Sequence, residues 1–416
     1  MNERTDERER KGSGLIDRLV GRGTSASVLA PRLLLIGCVL VLIAIGLVMI
    51  YSASSIEAYE QYGEASYFLK RQAIMVLLGI AAAVVVIIVP FEKWNRNILL
   101  AIWGISMLLL ILTEAFGFIG LGSKRWIYIG SFGFQPSELA KIAMILMSAY
   151  LIVEYHHRED MTFLQLFWRL FVVAVLPAVF ILIQPDLGTT LVALVGVLAV
   201  LWFGEVKKQY VAVIIIAVLI LAVLAVTLVG FRSDRISAWL DPWSDPLGTG
   251  YQTINSFYAF ANGGIFGVGL GNSTQKYLYL PYAYNDFIFA VFGEEFGLVG
   301  CVILILLYLT FLLAAFRIGN TSTTLFGKII CDSFATTIVF QAFLNMGCVI
   351  GVFPVTGKPL PFISYGGSSL VTTMIMVGFI LAVSFRNSAD TATKKRRSIR
   401  VVASDRQEEN GFSKTG

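Results

Sequence analysis

Apolar runs of about 17 to 25 residues recur along almost the whole chain with short polar joints between them, and a run of that length has few ways to fold. As a helix it satisfies its own backbone groups and crosses roughly 30 Å of hydrocarbon. Ten such spans are predicted, at residues 33-53, 72-90, 97-116, 136-154, 170-185, 187-203, 209-230, 287-316, 329-353 and 365-385. Composition agrees, with 57% of the 416 residues apolar and only 14% charged. The predicted fold class is an all-α integral membrane protein of about ten transmembrane helices, with a large extracytoplasmic loop between spans seven and eight.

Lys and Arg outside the spans set the orientation. Ten crossings place both tails on one side, and that side collects most of the basic residues, from Arg4 to Arg32 in the N-tail and from Arg386 to Lys414 in the C-tail. Both tails are therefore expected in the cytoplasm. The net charge of +5 is a topology signal in this distribution, and no folded basic surface points to nucleic acid. The Lys394-Lys395-Arg396-Arg397 cluster reads as a stop-transfer flank beside anionic headgroups. Residues 1-30 and 387-416 mix charge with small polar residues and are expected to be disordered tails around a membrane domain at 31-386. The first apolar run is too long for a cleaved signal and is expected to remain as the first span.

Metal and disulfide readings find little support. Cys38, Cys301, Cys331 and Cys348 lie in or beside apolar runs without a paired spacing, and His156 and His157 are adjacent, which does not suit one zinc ion.

Charge inside such a chain is costly without a partner or a task, so the polar positions carry the functional argument. Asp286 stands where the long loop 231-286 meets the eighth span, and it is either that helix's cap or a reacting carboxylate. Glu138 and Lys141, three apart after Pro136, predict an intramembrane ion pair that locks helices or lines a polar cavity. Asp186, after Gln184-Pro185, predicts a helix cap. Glu294 and Glu295 fall inside the eighth span and must face protein or water. Gly263-Gly264-Ile265-Phe266-Gly267-Val268-Gly269-Leu270-Gly271 lacks the strand and Walker lysine of a nucleotide loop; it predicts tight turns whose amides remain open to a lipid pyrophosphate. The stretch from Pro354 to Ser369, rich in Pro and Gly, predicts a re-entrant wall enclosed by protein. Aromatic residues through 231-286 predict amphipathic helices lying in the interface.

Across residues 33-385 these segments resemble the SEDS family (shape, elongation, division and sporulation) of multi-spanning peptidoglycan glycosyltransferases. The resemblance rests on Tyr51-Ser52-Ala53-Ser54-Ser55, Arg125-Trp126-Ile127, Gln135-Pro136-Ser137-Glu138-Leu139-Ala140-Lys141, Gln184-Pro185-Asp186-Leu187-Gly188-Thr189 and the Pro354 to Ser369 segment. Asp241-Pro242-Trp243, Gly250-Tyr251-Gln252 and Gly293-Glu294-Glu295-Phe296-Gly297 look like the division, FtsW-like branch ahead of the elongation, RodA-like branch. The resemblance implies polymerisation of lipid II at the outer face of the cell membrane, with Asp286 as the catalytic base. It implies Arg125, Glu138, Lys141, Asp186, Gln252, Lys276 and Ser364 as substrate-binding candidates. It also implies a class B penicillin-binding protein and other division proteins as partners, and no organic cofactor. Pyrophosphate neutralisation is left open between Arg125, Lys141 and Lys276 and a divalent metal, Mg or Mn. The motif around Asp286 departs from the family, with Tyr282, Tyr284 and Asn285 in place of its usual Glu, His and Thr, and Lys358 stands where an apolar residue is usual. Two other functions compete: a lipid II flippase using the same cavity, and a division scaffold whose chemistry is lost.

Overall fold

A computed structural model of the chain describes residues 26–89, 93–120, 123–130, 132–212, 214–216, 233–277 and 280–387. Eight helices are long and apolar enough to cross a membrane: α1 (Val28–Tyr62 within Ala26–Tyr62), α2 (Tyr67–Ile88), α3 (Arg96–Phe116), α4 (Pro136–His157), α5 (Phe163–Ile183), α9 (Ile288–Asn320), α10 (Leu325–Val349) and α11 (Gly367–Asn387). A shorter apolar helix, α6 (Leu187–Phe203), makes the ninth element of this kind among the described residues. The chain is a multi-pass membrane protein. Most of the span expected at 209-230, and both expected tails, lie outside the described residues.

Burial sorts the bundle into centre and rim. In their most apolar stretches α4, α10 and α11 are each 83% buried, whereas α2 is 22% and α3 28% buried. Leu77, Leu108 and Leu306 point outward, as expected of lipid-facing side chains. At the centre small residues let backbones approach. Gly46 of α1 lies against the loop after α10, where a Cβ would come 2.3 Å from the Phe362 carbonyl oxygen, and Gly196 of α6 lies against Ile145 and Thr337. Arg32 near the start of α1 donates to Ser384 near the end of α11, from Nε to Oγ at 3.0 Å and from Nη2 to the carbonyl at 2.7 Å. The described chain thus begins and ends at one end of the bundle.

The opposite end carries the irregular structure. The joint before α4 is a small antiparallel sheet in the order β1 (Phe118–Gly120), β2 (Ser123–Ile129) and β3 (Phe132–Phe134). The long loop contains two helices, α7 (Ser233–Leu240) and α8 (Tyr251–Gly263), as expected, and α8 packs on α9.

The glycine-rich segment after α8 has a specific structural use. Helix α9 is broken at Gly297, whose φ of 66° is in the region that favours glycine. The break frees carbonyls and amides, and the glycine segment takes them up. Val268 and Gly269 donate to the carbonyls of Glu294 and Glu295, while Leu298 and Val299 donate to those of Gly264 and Ile265. A Cβ on Gly267 would come 2.2 Å from the Glu295 carbonyl oxygen, and one on Gly297 would come 2.3 Å from the Gly267 nitrogen, so the two glycines permit the joint. The amides of Val268 and Gly269 are occupied by it.

Candidate active site

The polar groups of the bundle gather where several helices begin. Pro136 opens α4 and places Glu138 and Lys141 on one face, both fully buried. Lys141 Nζ donates to Glu138 Oε2 at 2.8 Å and to Gln341 Oε1 on α10 at 3.1 Å. The expected ion pair is present. A second ammonium joins it: Lys358, from the irregular segment between α10 and α11, donates to Glu138 Oε1 at 2.5 Å and to Thr189 Oγ1 at 2.8 Å. Thr372 of α11 places its hydroxyl 3.2 Å from Glu138 Oε2, sharing its one proton with the Ser368 carbonyl at 2.9 Å. Lys141, Gln341, Lys358, Thr189 and Thr372 come from five different elements, so the cluster fastens the centre of the bundle as well as polarising it.

Asp186 caps α6 as expected, accepting from the Thr189 amide at 3.1 Å. Its other oxygen accepts from Thr189 Oγ1 at 2.6 Å and from Gln135 Nε2 at 2.8 Å. Arg125 on β2 donates to the carbonyls of Gln184 and Pro185, bracing the turn that leads into this cap.

Asp286 does not cap α9. That helix starts at Ile288 with Phe287 in the cap position and no side-chain cap bond. The Asp286 backbone is held instead: Asn345 Nδ2 of α10 donates to the Asp286 carbonyl at 2.7 Å and to the Lys358 carbonyl at 2.8 Å. Tyr365 N donates to the Tyr284 carbonyl at 2.9 Å, joining the same two segments a second time. Among the described residues the Asp286 carboxylate makes no hydrogen bond, and the residue is only partly buried. Its charged neighbours are chiefly cations. Burial raises its pKa above the ordinary aspartate value, Lys358, Arg235 and Arg125 pull it down, and Asp186 adds to the rise. Arg235 of α7 reaches this place by donating from Nη1 to the Val355 carbonyl at 2.8 Å, and Gly357 lies between it and Asp286.

Beside Arg235 is a cavity of about 190 Å³ lined by Trp239, Thr249, Gln252, Thr253 and Phe353 among others. Phe353 also lines a larger, almost wholly apolar cavity of about 610 Å³ between α8, α9 and α10, with Phe260, Phe289, Cys301 and Phe343. The smaller cavity, which has Arg235, Thr249, Gln252 and Thr253 in its wall, and the larger apolar one thus adjoin at Phe353, a layout that suits an amphiphile with a polar head and a hydrocarbon tail.

The expected substrate-binding residues divide into three groups. Glu138, Lys141, Asp186 and Arg125 belong to one frame joined through Lys358, Thr189 and the Gln184–Pro185 turn, of which Asp186 and Arg125 act on Asp286, and Gln252 lines the smaller cavity and donates to the Pro281 carbonyl at 3.5 Å. Ser364 is used locally, its Oγ accepting from the Leu360 amide at 2.8 Å. Lys276 is elsewhere, bonded to the Gly271 carbonyl, Ser52 and Glu295. Glu294 and Glu295 are both buried in protein contacts, with Glu294 accepting from Asn262, Ser273, Thr274 and Gln275. Arg235 and Asn345 belong to the site and were not expected. Asn345 had a signal, since Gln341 and Asn345 are polar residues four apart in an apolar helix and so share a face. Among the described residues no three His, Cys, Asp or Glu side chains converge on one point. With one unengaged carboxylate among cations, this donor set does not by itself build a divalent-metal cage.

The fold and site define a polytopic membrane protein that holds, at one end of its bundle, a carboxylate unpaired among the described residues and facing Lys358, Arg235 and Arg125. The chain belongs to the cell cycle protein family of FtsW, RodA and SpoVE, whose family model matches residues 32–389. It is similar to a probable peptidoglycan glycosyltransferase FtsW of Geobacter metallireducens, 39% identical over 344 residues, 82% of this chain and 91% of that one. It is also similar to stage V sporulation protein E of Bacillus subtilis, 37% identical over 358 residues, 85% of this chain and 97% of that one. Among solved structures, a chain from a peptidoglycan synthase complex that coordinates polymerization and crosslinking aligns with a TM-score of 0.68 at 28% identity, covering 85% of this chain and 97% of that one. The rod shape determining protein RodA of Thermus thermophilus aligns with a TM-score of 0.63 at 26% identity, covering 85% and 96%.

Proposed function

We propose that this chain is a division-class peptidoglycan glycosyltransferase that polymerises lipid II into glycan strands at the outer face of the cytoplasmic membrane, both tails lying in the cytoplasm. The observation that carries the reading is Asp286, whose carboxylate has no hydrogen-bond partner among the described residues and faces the charges of Lys358, Arg235 and Arg125. A general base needs a free lone pair within reach of the proton it takes, and a departing pyrophosphate needs fixed positive charge. In the proposed step the acceptor sugar's hydroxyl oxygen attacks C1 of the donor as its proton passes to Asp286. The C1–O bond to phosphate breaks, and undecaprenyl pyrophosphate leaves with its electron pair. Arg235, Arg125 and the Lys358 side of the frame face the charge that develops. The smaller cavity accommodates sugar and the larger one lipid tail. A divalent ion, Mg or Mn, would have to take most of its oxygens from the substrate's phosphates.

Past Lys141 the buried face of α4 is apolar apart from Ser148, whereas α10 carries Thr337, Ser333 and Asp332 toward its start. What favours polymerisation over a flippase is the similarity to relatives named as peptidoglycan glycosyltransferases. The expected partner is a class B penicillin-binding protein that crosslinks the new strand, together with other division proteins.

The test is lipid II polymerisation by the purified protein with its transpeptidase, wild type beside Asp286→Asn, with and without a chelator and across pH. Strands from wild type alone support the base assignment. Because burial raises the Asp286 pKa, activity should fall off on the acid side at a higher pH than an ordinary aspartate would give. Strands from Asp286→Asn at the wild-type rate would sink the assignment. Absence of strands from both, with both folded and partnered, would favour the scaffold reading.

A further inference from the structure

Lys358 adds a second ammonium to a carboxylate that already has one. Glu138 already has a counterion in Lys141, paired to Oε2 at 2.8 Å, and Lys358 is the partner of Oε1. Room for the extra side chain has been made. Its carbon stem lies over Gly188, where a Cβ would come 2.5 Å from Lys358 Cγ, so only glycine leaves the stem its path to Glu138. At the other end of the residue, the Asn345 amide that binds the Lys358 carbonyl also binds the Asp286 carbonyl. The neighbouring Gly357 lies against the Asp286 carboxylate, with a built Cβ 3.4 Å from Oδ2. Lys358 is therefore tied at its head to α4 and α6 and at its backbone to the segment that carries Asp286.

We propose that Lys358 is a positioning residue of the glycosyl transfer, a fixed internal cation that holds the Asp286 segment in place and keeps the Asp286 carboxylate ionised. The inference rests on Asp286 being the base of the proposed reaction. The other charges facing Asp286 are Arg235 and Arg125, which act in the same sense, and Asp186, which opposes them. Lys358 itself stays charged: burial alone would lower its pKa, but Glu138, Asp186 and Asp286 outweigh that and raise it. Removing the ammonium leaves the burial of Asp286 less opposed. Its pKa then rises further, and the ionised fraction falls at every pH below the new value. An opposite charge close to a carboxylate shifts its pKa by about 1 to 3 units.

The experiment compares wild type with Lys358→Met, Lys358→Gln and Lys358→Arg in the full chain with its transpeptidase. Two quantities are read against pH: kcat/KM for lipid II polymerisation, and labelling of Asp286 by a water-soluble carbodiimide, followed by mass spectrometry. Met fills the stem's place over Gly188 but leaves Glu138 Oε1 without its partner, whereas Gln keeps an uncharged N–H donor, so a folded uncharged variant is available even if Met fails. The expected result is an acid limb and a labelling midpoint moved upward by about one pH unit in the uncharged variants, a roughly tenfold loss of kcat/KM at low pH. Recovery toward wild type at high pH and near-wild-type behaviour of Lys358→Arg are expected alongside it. A labelling midpoint that stays at the wild-type value overturns the proposal whatever polymerisation does, as does an equal loss at every pH, which a mere loop strut would give. A midpoint that moves in a protein making no strands supports the electrostatic role and sinks the polymerase reading instead.

Discussion

Replacing Glu294 by Ala removes a carboxylate that fastens the loop leading to Asp286 through five hydrogen bonds. Its Oε1 accepts from Asn262 Nδ2 at 3.2 Å, the Thr274 amide at 3.1 Å and Thr274 Oγ1 at 2.7 Å. Its Oε2 accepts from Ser273 Oγ at 2.5 Å and the Gln275 amide at 3.2 Å. Asn262 and Thr274 are exposed, so water replaces the carboxylate for them. Ser273 is fully buried and Gln275 nearly so, at 9% exposure, which leaves a hydroxyl and an amide without an acceptor. At about 1–3 kcal/mol for each stranded group, less the relief of no longer burying a carboxylate, the loss is on the order of 3 kcal/mol. Glu294→Gln keeps one accepting oxygen and should lose about half as much. The four cysteines are free and buried, so a thiol-reactive dye reports unfolding directly. The Ala variant should melt about 5 °C below wild type, with Gln between them. Because the loop ends at Asp286, polymerisation should fall with it. A melting temperature within a degree of wild type for Glu294→Ala would refute the view that this carboxylate holds the loop.

Two further outcomes follow from the same geometry. Asp286→Asn should melt higher than wild type at neutral pH: an aspartate whose folded pKa is raised is destabilising once ionised, so the gain should shrink and vanish as the pH falls below the ordinary aspartate range. Equal melting temperatures at neutral pH would contradict this. Gly297→Ala forces a side chain into a positive-φ position and against the Gly267 nitrogen, and should cost at least about 1–3 kcal/mol, read in the same dye assay; Ala at Gly104, which has open space and lies within α3, is the control and should be neutral or better.

The helices and the first-turn acids were legible because their signals are local. Apolar run length gives α1 to α6 and α9 to α11 to within a few residues, apart from the longer ends of α1 and α5. The spacing of Glu138 and Lys141 gives their pairing, and the Pro185-Asp186 step gives a cap. The strands β1 to β3 were not legible, since Phe118–Gly120 and Phe132–Phe134 are too short to show alternation. Nor was the joint between the Gly263–Gly271 segment and the break at Gly297: the glycines announce unusual backbone but not which carbonyls it will meet. Lys276 and Lys358 show the limit most clearly. Each is a lone lysine in sequence, and only the fold decides that Lys276 meets Glu295, 19 residues away, while Lys358 meets Glu138, 220 residues away.

That difference bears on why the site sits where it does. Glu138, Asp186 and Asp286 all lie at or just before the start of a helix, α4, α6 and α9, and α11 begins beside them at Gly367. Helix starts present unpaired amides and the positive end of the dipole, so this end of the bundle favours negative charge even before side chains are counted. Two of the three acids are consumed by their surroundings, Glu138 by two lysines and Thr372, Asp186 by Thr189 and Gln135. The third is left open. Lys141, Lys358, Arg125 and Arg235 outnumber the three acids by one, and a site with that surplus, at four helix starts, is more favourable to an entering polyanion than to a neutral solute. An open carboxylate there would repel the polyanion unless the cations stand between them or the substrate presents its sugar hydroxyl to Asp286 and its phosphates to the arginines. The placement of Arg235 across Gly357 from Asp286, with a sugar-sized cavity on one side and an apolar one beyond Phe353, suits the second arrangement.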